Sequence, residues 1–232
     1  MKKVAFSDFD GTLAKGYISM EFMDFLHNKG IYSREAYAKQ GALFQEHKTG
    51  NVSYDRWVEK WALLWAEGLK GREEKEVKNA ALEFFKSFEP NIYKSSYELV
   101  KLLKGKGYCT VAISVGAMDI IRIAGKRLGF DKIYATEPEK SHGIFTGNLK
   151  TRLHLPSGKQ EIIAGILHTG KFRQEGSFAF GDSASDAGML GCAEQAIALN
   201  PNKELIDMAK KNSWRTASYK NVINIVRQIL QS

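Results

Sequence analysis

Val4-Ala5-Phe6-Ser7-Asp8-Phe9-Asp10-Gly11-Thr12 is the stretch on which the reading of this chain turns. An apolar run ends in two carboxylates two residues apart. Side chains at i and i+2 of an extended strand point the same way, so Asp8 and Asp10 are expected to face one cavity. Gly11 and Thr12 then let the backbone turn away from the strand end. Two acids held together beside a turn repel each other unless a metal ion, a shared proton or a cationic group offsets the repulsion.

Outward from this stretch the same pattern returns twice. Thr110-Val111-Ala112-Ile113 ends in Ser114-Val115-Gly116, and Phe178-Ala179-Phe180 ends in Gly181-Asp182-Ser183-Ala184-Ser185-Asp186. Between them, Lys159 follows Pro156-Ser157-Gly158 and opens an expected helix. Strands near 3–7, 108–114, 132–135 and 177–180 alternate with helices near 92–104, 117–128 and 221–231, with a hairpin around 141–149. Such alternation predicts a mostly parallel sheet covered on both faces, with ligands bound beyond the carboxyl ends of the strands. Residues 14–85 read differently: Phe22, Phe25 and Leu26, then Trp57, Trp61, Leu64 and Trp65, fall on helical faces. Gly30, Gly50-Asn51, Gly68 and Gly71 punctuate that region into several helices. The expected fold is α/β: a Rossmann-like core of residues 1–13 and 86–232, with an inserted all-helical cap at 14–85.

The order Asp8-x-Asp10-Gly11-Thr12, strand-end Ser114, Lys159, then Gly181-Asp182-x-x-x-Asp186 resembles the four motifs of the haloacid dehalogenase-like (HAD) phosphohydrolases. It is most similar to their phosphoserine phosphatase-like subfamily, subclass IB with a helical C1 cap. Leu128-Gly129-Phe130, the turn region 143–147, Met189-Leu190 and residues 196–201 add echoes of it, so the resemblance runs nearly end to end.

The resemblance implies a Mg²⁺-dependent phosphatase acting on a small phosphomonoester. Asp8 would be the nucleophile that forms an aspartyl-phosphate, and Asp10 the general acid for the leaving alcohol, then base for water. The Asp8 carboxylate, the Asp10 main-chain carbonyl and Asp182 would contact the metal. Asp186 would act through water or by orienting that shell, and an Asp there equally serves as a helix N-cap. The Ser114 hydroxyl, the Val115 and Gly116 amides and the Lys159 ammonium would hold the phosphate.

The cap departs from the subfamily. Where its members carry an acidic residue and an arginine to read an amino acid, an approximate alignment places Tyr17 and Trp61, with Glu21 and Arg56 close but out of register. Ser185 stands where many relatives carry asparagine. Tyr17, Glu21, Arg56, Trp57 and Trp61 are therefore the candidate specificity residues, and phosphoserine is expected to be a poor substrate. Trp57, Trp61 and Trp65, with Tyr54 one turn earlier, form a stripe at four-residue spacing. It is expected first to pack inside the cap; a part facing the site would suit a base, a sugar or a quaternary ammonium.

Bulk properties fit this reading. The 232 residues carry a net charge of +8 from 34 Lys and Arg against 26 Asp and Glu, scattered without an arginine-rich tract. A basic surface that steers phosphate esters is favoured over nucleic-acid or membrane binding. Cys109 and Cys192 lie far apart without metal-ligand spacing, and no run approaches transmembrane length, so the expected setting is cytoplasmic. The sequence carries no signal for oligomeric state. Residues 165–171 match the first seven positions of a phosphate-binding P-loop, but Phe172 replaces the required Ser or Thr, so Gly170-Lys171 reads as a helix end. The rival readings are a phosphotransferase that passes phosphate to an acceptor alcohol and, in another class, a basic nucleic-acid-binding protein with little catalysis.

Overall fold

The structure, a computed structural model, describes residues 1–155 and 157–231; Pro156, quoted above ahead of Lys159, lies outside the described residues. Its strands are β1 (Val4–Ser7), β2 (Cys109–Ala117), β3 (Lys132–Thr136), β4 (Pro138–Ser141), β5 (Ile144–Leu149), β6 (Phe178–Gly181), β7 (Gln195–Leu199) and β8 (Arg215–Ala217). Six of them form one sheet in the order β3-β2-β1-β6-β7-β8, with every neighbouring pair parallel. All four residues of β1 are buried, as expected of a central parallel strand covered on both faces. Alternate residues feed two separate cores. Ala5, Phe178, Phe180, Ile197 and Leu199 face one side, and Val4, Phe6, Val111, Ile113 and Ala179 the other.

Strand order reverses at β1, whose partners are β2 on one side and β6 on the other. A crevice therefore opens beyond the carboxyl ends of these three strands, the usual location of a ligand site in such sheets. The two acid pairs follow or end β1 and β6, whereas Ser114, expected at a strand end, lies inside β2, which continues to Ala117. The helices of the core are α5 (Lys94–Gly105), α6 (Met118–Leu128), α7 (Gly158–His168), α8 (Ala187–Gly191), α9 (Lys203–Lys211) and α10 (Val222–Gln231), numbered after four that precede them in the chain. Helix α7 ends before Gly170, whose φ of 67° closes it, so the stretch 165–171 is a helix end and not a phosphate loop.

Four helices fill the insertion between β1 and β2: α1 (Ile18–Asn28), α2 (Arg34–Lys48), α3 (Tyr54–Gly68) and α4 (Glu74–Phe88). Ser33 and Ser53 cap α2 and α3, accepting from the Ala36 and Arg56 amides. Trp65 is fully buried between Phe22, Tyr32 and Trp61. The Tyr32 ring crosses α3 at Gly68 so closely that a Cβ there would lie 2.1 Å from it, and its hydroxyl donates to the Leu64 carbonyl at 2.6 Å. Helix α4 continues past residue 85 to Phe88 because Phe84, Phe85 and Phe88 extend its buried face. The two crossings between insertion and core pair with each other: Lys15 donates to the Asn91 carbonyl and Tyr93 to the Leu13 carbonyl. The β4–β5 hairpin, although it follows β3 in the chain, joins the insertion through Gly71, Arg72 and Glu74, which share backbone hydrogen bonds with Gly143 and Phe145. Among the described residues no helix is long and apolar enough to cross a membrane.

Candidate active site

β1 delivers the first acid pair to the crevice, and backbone hydrogen bonds fix where it sits. The Asp8 amide donates to the Phe180 carbonyl at the end of β6 (2.9 Å), tying the two acid-bearing strand ends together. Gly11, with φ of 73°, then turns the chain beneath Asp182. A Cβ on Gly11 would lie 2.2 Å from Asp182 Oδ2, so the position tolerates only glycine. Thr12 donates its hydroxyl to Asp182 Oδ1 at 3.0 Å, and the Asn202 amide donates to the Asp182 carbonyl at 2.8 Å. The Asn200 side chain braces the same turn by donating to the Gly11 and Thr12 carbonyls.

Lys159, in the first turn of α7, is buried and donates to Asp8 Oδ1 at 2.7 Å and to Asp186 Oδ1 at 2.5 Å. The other Asp186 oxygen accepts the Asp182 and Ser183 amides at 3.0 and 3.2 Å, so its carboxylate both caps the turn and holds the lysine. Carboxylate oxygens of Asp8, Asp182 and Asp186 all lie within 4.8 Å of one another. Burial pushes Asp8 above the ordinary carboxylate range despite the opposing Lys159 charge. Asp182 is raised by burial, then by the Asp8 and Asp186 charges. Lys159 is held protonated by Asp186 and Asp8, which outweigh its desolvation. One ammonium thus faces three carboxylates, and the hard oxygen donors fit Mg²⁺, which binds through one or two carboxylates and keeps several waters.

Asp10 is placed apart from this cluster. Its Oδ1 accepts the Ile18 amide at 2.9 Å, at the start of α1. Burial pushes it up to about 8, against the lowering effect of that amide. At neutral pH Asp10 holds its proton while Asp8, beside the lysine, is the more acidic of the two.

β2 brings Ser114 to the opposite wall. Its register against β3 shifts between Ile113 and Ala117, so the strand bulges where it meets the crevice. The Gly116 amide donates to Ser114 Oγ at 3.0 Å, and the Ala117 amide to Ser19 Oγ of α1 at 2.8 Å. Ser114 retains its own hydroxyl proton for a ligand.

Core and insertion enclose a cavity of about 550 Å³, within the size range of small-molecule sites. Asp8, Asp10, Ser114, Val115, Gly116, Lys159 and Asp182 line it from the core side, and Tyr17, Trp57 and Trp61 from the insertion. Asp186 sits behind Lys159, fully buried. Two of the candidate specificity residues are elsewhere: Glu21 lies in a separate groove beside Gly16, and Arg56 is exposed on α3 away from the cavity lining. The aromatic stripe divides, with Trp65 in the core and Trp57 and Trp61 both buried and facing the cavity. Met20, His47, Tyr54 and Asp55 also line it, and burial pushes the Tyr54 hydroxyl up against the lowering effect of the nearby Lys159 charge. Of these, only Tyr54 carried a sequence signal, as the turn preceding the tryptophans; the Asn200 and Asn202 braces lie in or beside the 196–201 echo.

Histidinol-phosphatase of Neisseria meningitidis is 25% identical over 226 residues, covering 95% of this chain and 100% of that protein. Phosphoserine phosphatase of Methanocaldococcus jannaschii is 26% identical over 199 residues, 85% of each chain. The crystal structure of a protein of unknown function from Bordetella pertussis superposes with a TM-score of 0.80 at 20% identity, covering 94% of this chain and 99% of that one, and so shares the fold. The family model for haloacid dehalogenase-like hydrolases matches residues 5–191, from β1 through the second acid pair to the end of α8, and the chain belongs to that family.

Proposed function

We propose that the protein is a Mg²⁺-dependent phosphomonoesterase acting on a small soluble ester through a phospho-Asp8 intermediate. The observation that carries this reading is the grouping of Asp8, Asp182 and Asp186 oxygens within 4.8 Å around Lys159 at the floor of a covered cavity. Histidinol-phosphatase and phosphoserine phosphatase among its relatives support phosphate-ester chemistry.

In this reading Lys159 keeps Asp8 ionised and aims Oδ1, while Asp186 fixes Lys159 from behind. Asp8, the Asp10 carbonyl and Asp182 would hold Mg²⁺, which supplies positive charge to the phosphoryl oxygens. The Ser114 hydroxyl and the Val115 amide would receive the remaining phosphate oxygens, while the Gly116 amide steadies Ser114 Oγ. An Asp8 oxygen attacks phosphorus, the bond from phosphorus to the ester oxygen breaks, and the departing alkoxide takes the proton that Asp10 holds. Water then attacks the phospho-Asp8 phosphorus, returning a proton to Asp10. Inorganic phosphate leaves and the Asp8 carboxylate is regenerated. The hydroxyl of Thr12 and the backbone of Asn202 keep Asp182 in place through both steps.

Phosphate release from a panel of esters, measured with and without Mg²⁺ on the wild type and on Asp8→Asn, tests the proposal. Release that requires Mg²⁺ and falls at least about a thousandfold in Asp8→Asn is expected, because the variant lacks the nucleophile. Release that persists in the variant would remove Asp8 from the chemistry.

A further inference from the structure

We infer that the cavity selects phosphate esters whose alcohol carries a positively charged nitrogen and no carboxylate. The inference rests on the phosphomonoesterase reading and concerns the half of the cavity that faces the leaving group.

The first observation is charge. Lys159 is the only Lys or Arg lining the cavity among the described residues, and its ammonium is already shared by Asp8 and Asp186. No further lysine or arginine among the described residues lines the cavity to answer a carboxylate on the leaving group. Arg56, the nearest sequence candidate for that task, lies outside the lining. Asp55 and Glu204 do line the cavity, and neither takes part in an ion pair among the described residues. With phosphate and Mg²⁺ satisfying the floor, the remaining field is negative and favours a cation.

The second observation is the form of the wall from which Asp55 projects. Four rings pack on Trp57: Tyr17 edge-on (6.2 Å, 82°), Tyr54 edge-on (5.6 Å, 65°), Phe44 tilted (5.6 Å, 39°) and His47 stacked (4.8 Å, 1°). The His47 Nδ1 donates to the Val52 carbonyl at 3.1 Å, which sets the plane of its ring. Tyr17 and Tyr54 stand roughly perpendicular to Trp57, so the wall is a corner of aromatic faces and edges rather than a flat stack. Such a corner, with a carboxylate beside it, holds an ammonium or imidazolium group by ring-face attraction and charge together. An apolar or neutral leaving group would use the rings but leave the carboxylates unanswered. Phosphoserine would place its carboxylate among them.

The test is steady-state hydrolysis with Mg²⁺ of phosphocholine, phosphoethanolamine and histidinol phosphate, against phosphoserine and glycerol 3-phosphate, with p-nitrophenyl phosphate as an aryl control. At least one of the first three is expected to exceed both phosphoserine and glycerol 3-phosphate about tenfold or more in kcat/KM. The preference is expected to shrink severalfold in Asp55→Asn, mainly through KM, and further in Trp57→Leu. Asp55 is exposed, so its variant reports even where the tryptophan variant fails to fold. Hydrolysis of the aryl control with glycerol 3-phosphate or phosphoserine preferred, or a preference untouched in Asp55→Asn, overturns this inference alone. No hydrolysis of any ester, the aryl control included, overturns the phosphomonoesterase reading and this inference with it.

Discussion

Replacing Lys159 with methionine should cost the metal-free protein most of its stability margin at pH 8 and far less at pH 5. The side chain lies 8% exposed between Asp8 and Asp186, themselves 10% and 0% exposed, and makes two short charge-assisted hydrogen bonds. Removing one partner from a buried ionic group typically costs about 3–5 kcal/mol, because the remaining charge is left uncompensated. Here the remaining groups are carboxylates, which escape the penalty by taking up a proton. Lys159 lowers the Asp8 pKa, so its loss raises that pKa further. A carboxyl group whose folded pKa exceeds its unfolded one keeps its proton in the folded state while the unfolded chain has lost it. Stability therefore falls as pH rises through that window, at about 1.4 kcal/mol per pH unit for each proton held. An extra proton retained across about two units returns roughly 3 kcal/mol on going from pH 8 to pH 5. The wild type already slopes the same way without metal, since burial raises Asp8, Asp10 and Asp182 together. Urea unfolding in EDTA at both pH values gives the difference between the two proteins, and adding Mg²⁺ at pH 8 should recover part of it. An equal loss at pH 5 and pH 8, or no loss at pH 8, would refute the reasoning.

Two further substitutions separate orientation from packing. Asp186→Asn keeps the shape of a side chain that accepts two amides and the lysine but removes its charge, and should weaken Mg²⁺ binding about 10–100-fold by calorimetry, the usual effect of disturbing a group behind the ligands. Gly68→Ala drives a methyl group to within 2.1 Å of the Tyr32 ring and should lower stability by about 1–3 kcal/mol in chemical unfolding, with KM for a good substrate altered because α3 carries Trp57 and Trp61.

The convergence of the acids and Lys159 was legible in the sequence because it depends on short-range geometry. Asp8 and Asp10 are two residues apart, and Asp182 and Asp186 four, so strand direction and one turn suffice to aim them. That the two pairs meet follows from strand order, with β6 placed beside β1, a consequence of parallel pairing that a sheet of this kind almost imposes. Lys159 was legible only by its position between motifs, and its paired contacts depend on α7 packing across the strand ends. The cap is less legible for a physical reason. A tryptophan repeating every four residues marks one helical face, but a face about 100° wide can front both a core and a cavity, and α3 does so: Trp65 lies in the core while Trp57 and Trp61 border both. Glu21 and Arg56 sit within a residue or two of lining positions and still point elsewhere, because one step along a helix turns a side chain by about 100°. Asp55 and His47 enter the cavity from helix ends, where spacing carries no directional information.

The placement of Asp10 joins the insertion to the proposed chemistry. Its carboxyl oxygen accepts the first amide of α1, so the group that must carry the leaving-group proton is also the group against which the cap's first helix begins. Of the influences on Asp10, burial is the largest and raises its pKa to about 8; the Ile18 amide works in the opposite sense and the Asp8 charge adds to burial. Burial depends on the cap, because Tyr17, Met20 and the α3 aromatics form the cavity's other side. Water admitted by lifting that wall would reduce the dominant influence and return Asp10 towards an ordinary carboxylate, ionised at neutral pH and unable to donate. In the proposed reaction, closing the wall over an ester would favour the protonated carboxyl again. The crossings at Leu13 and Lys15 lie only a few residues beyond Asp10, pinned to Asn91 and Tyr93, so a shift of the insertion is transmitted to α1 through a short, hydrogen-bonded connection. In the proposed reaction, a cap inserted at this point in the chain would do more than exclude water: by burying Asp10 it would favour the protonated form of that carboxyl.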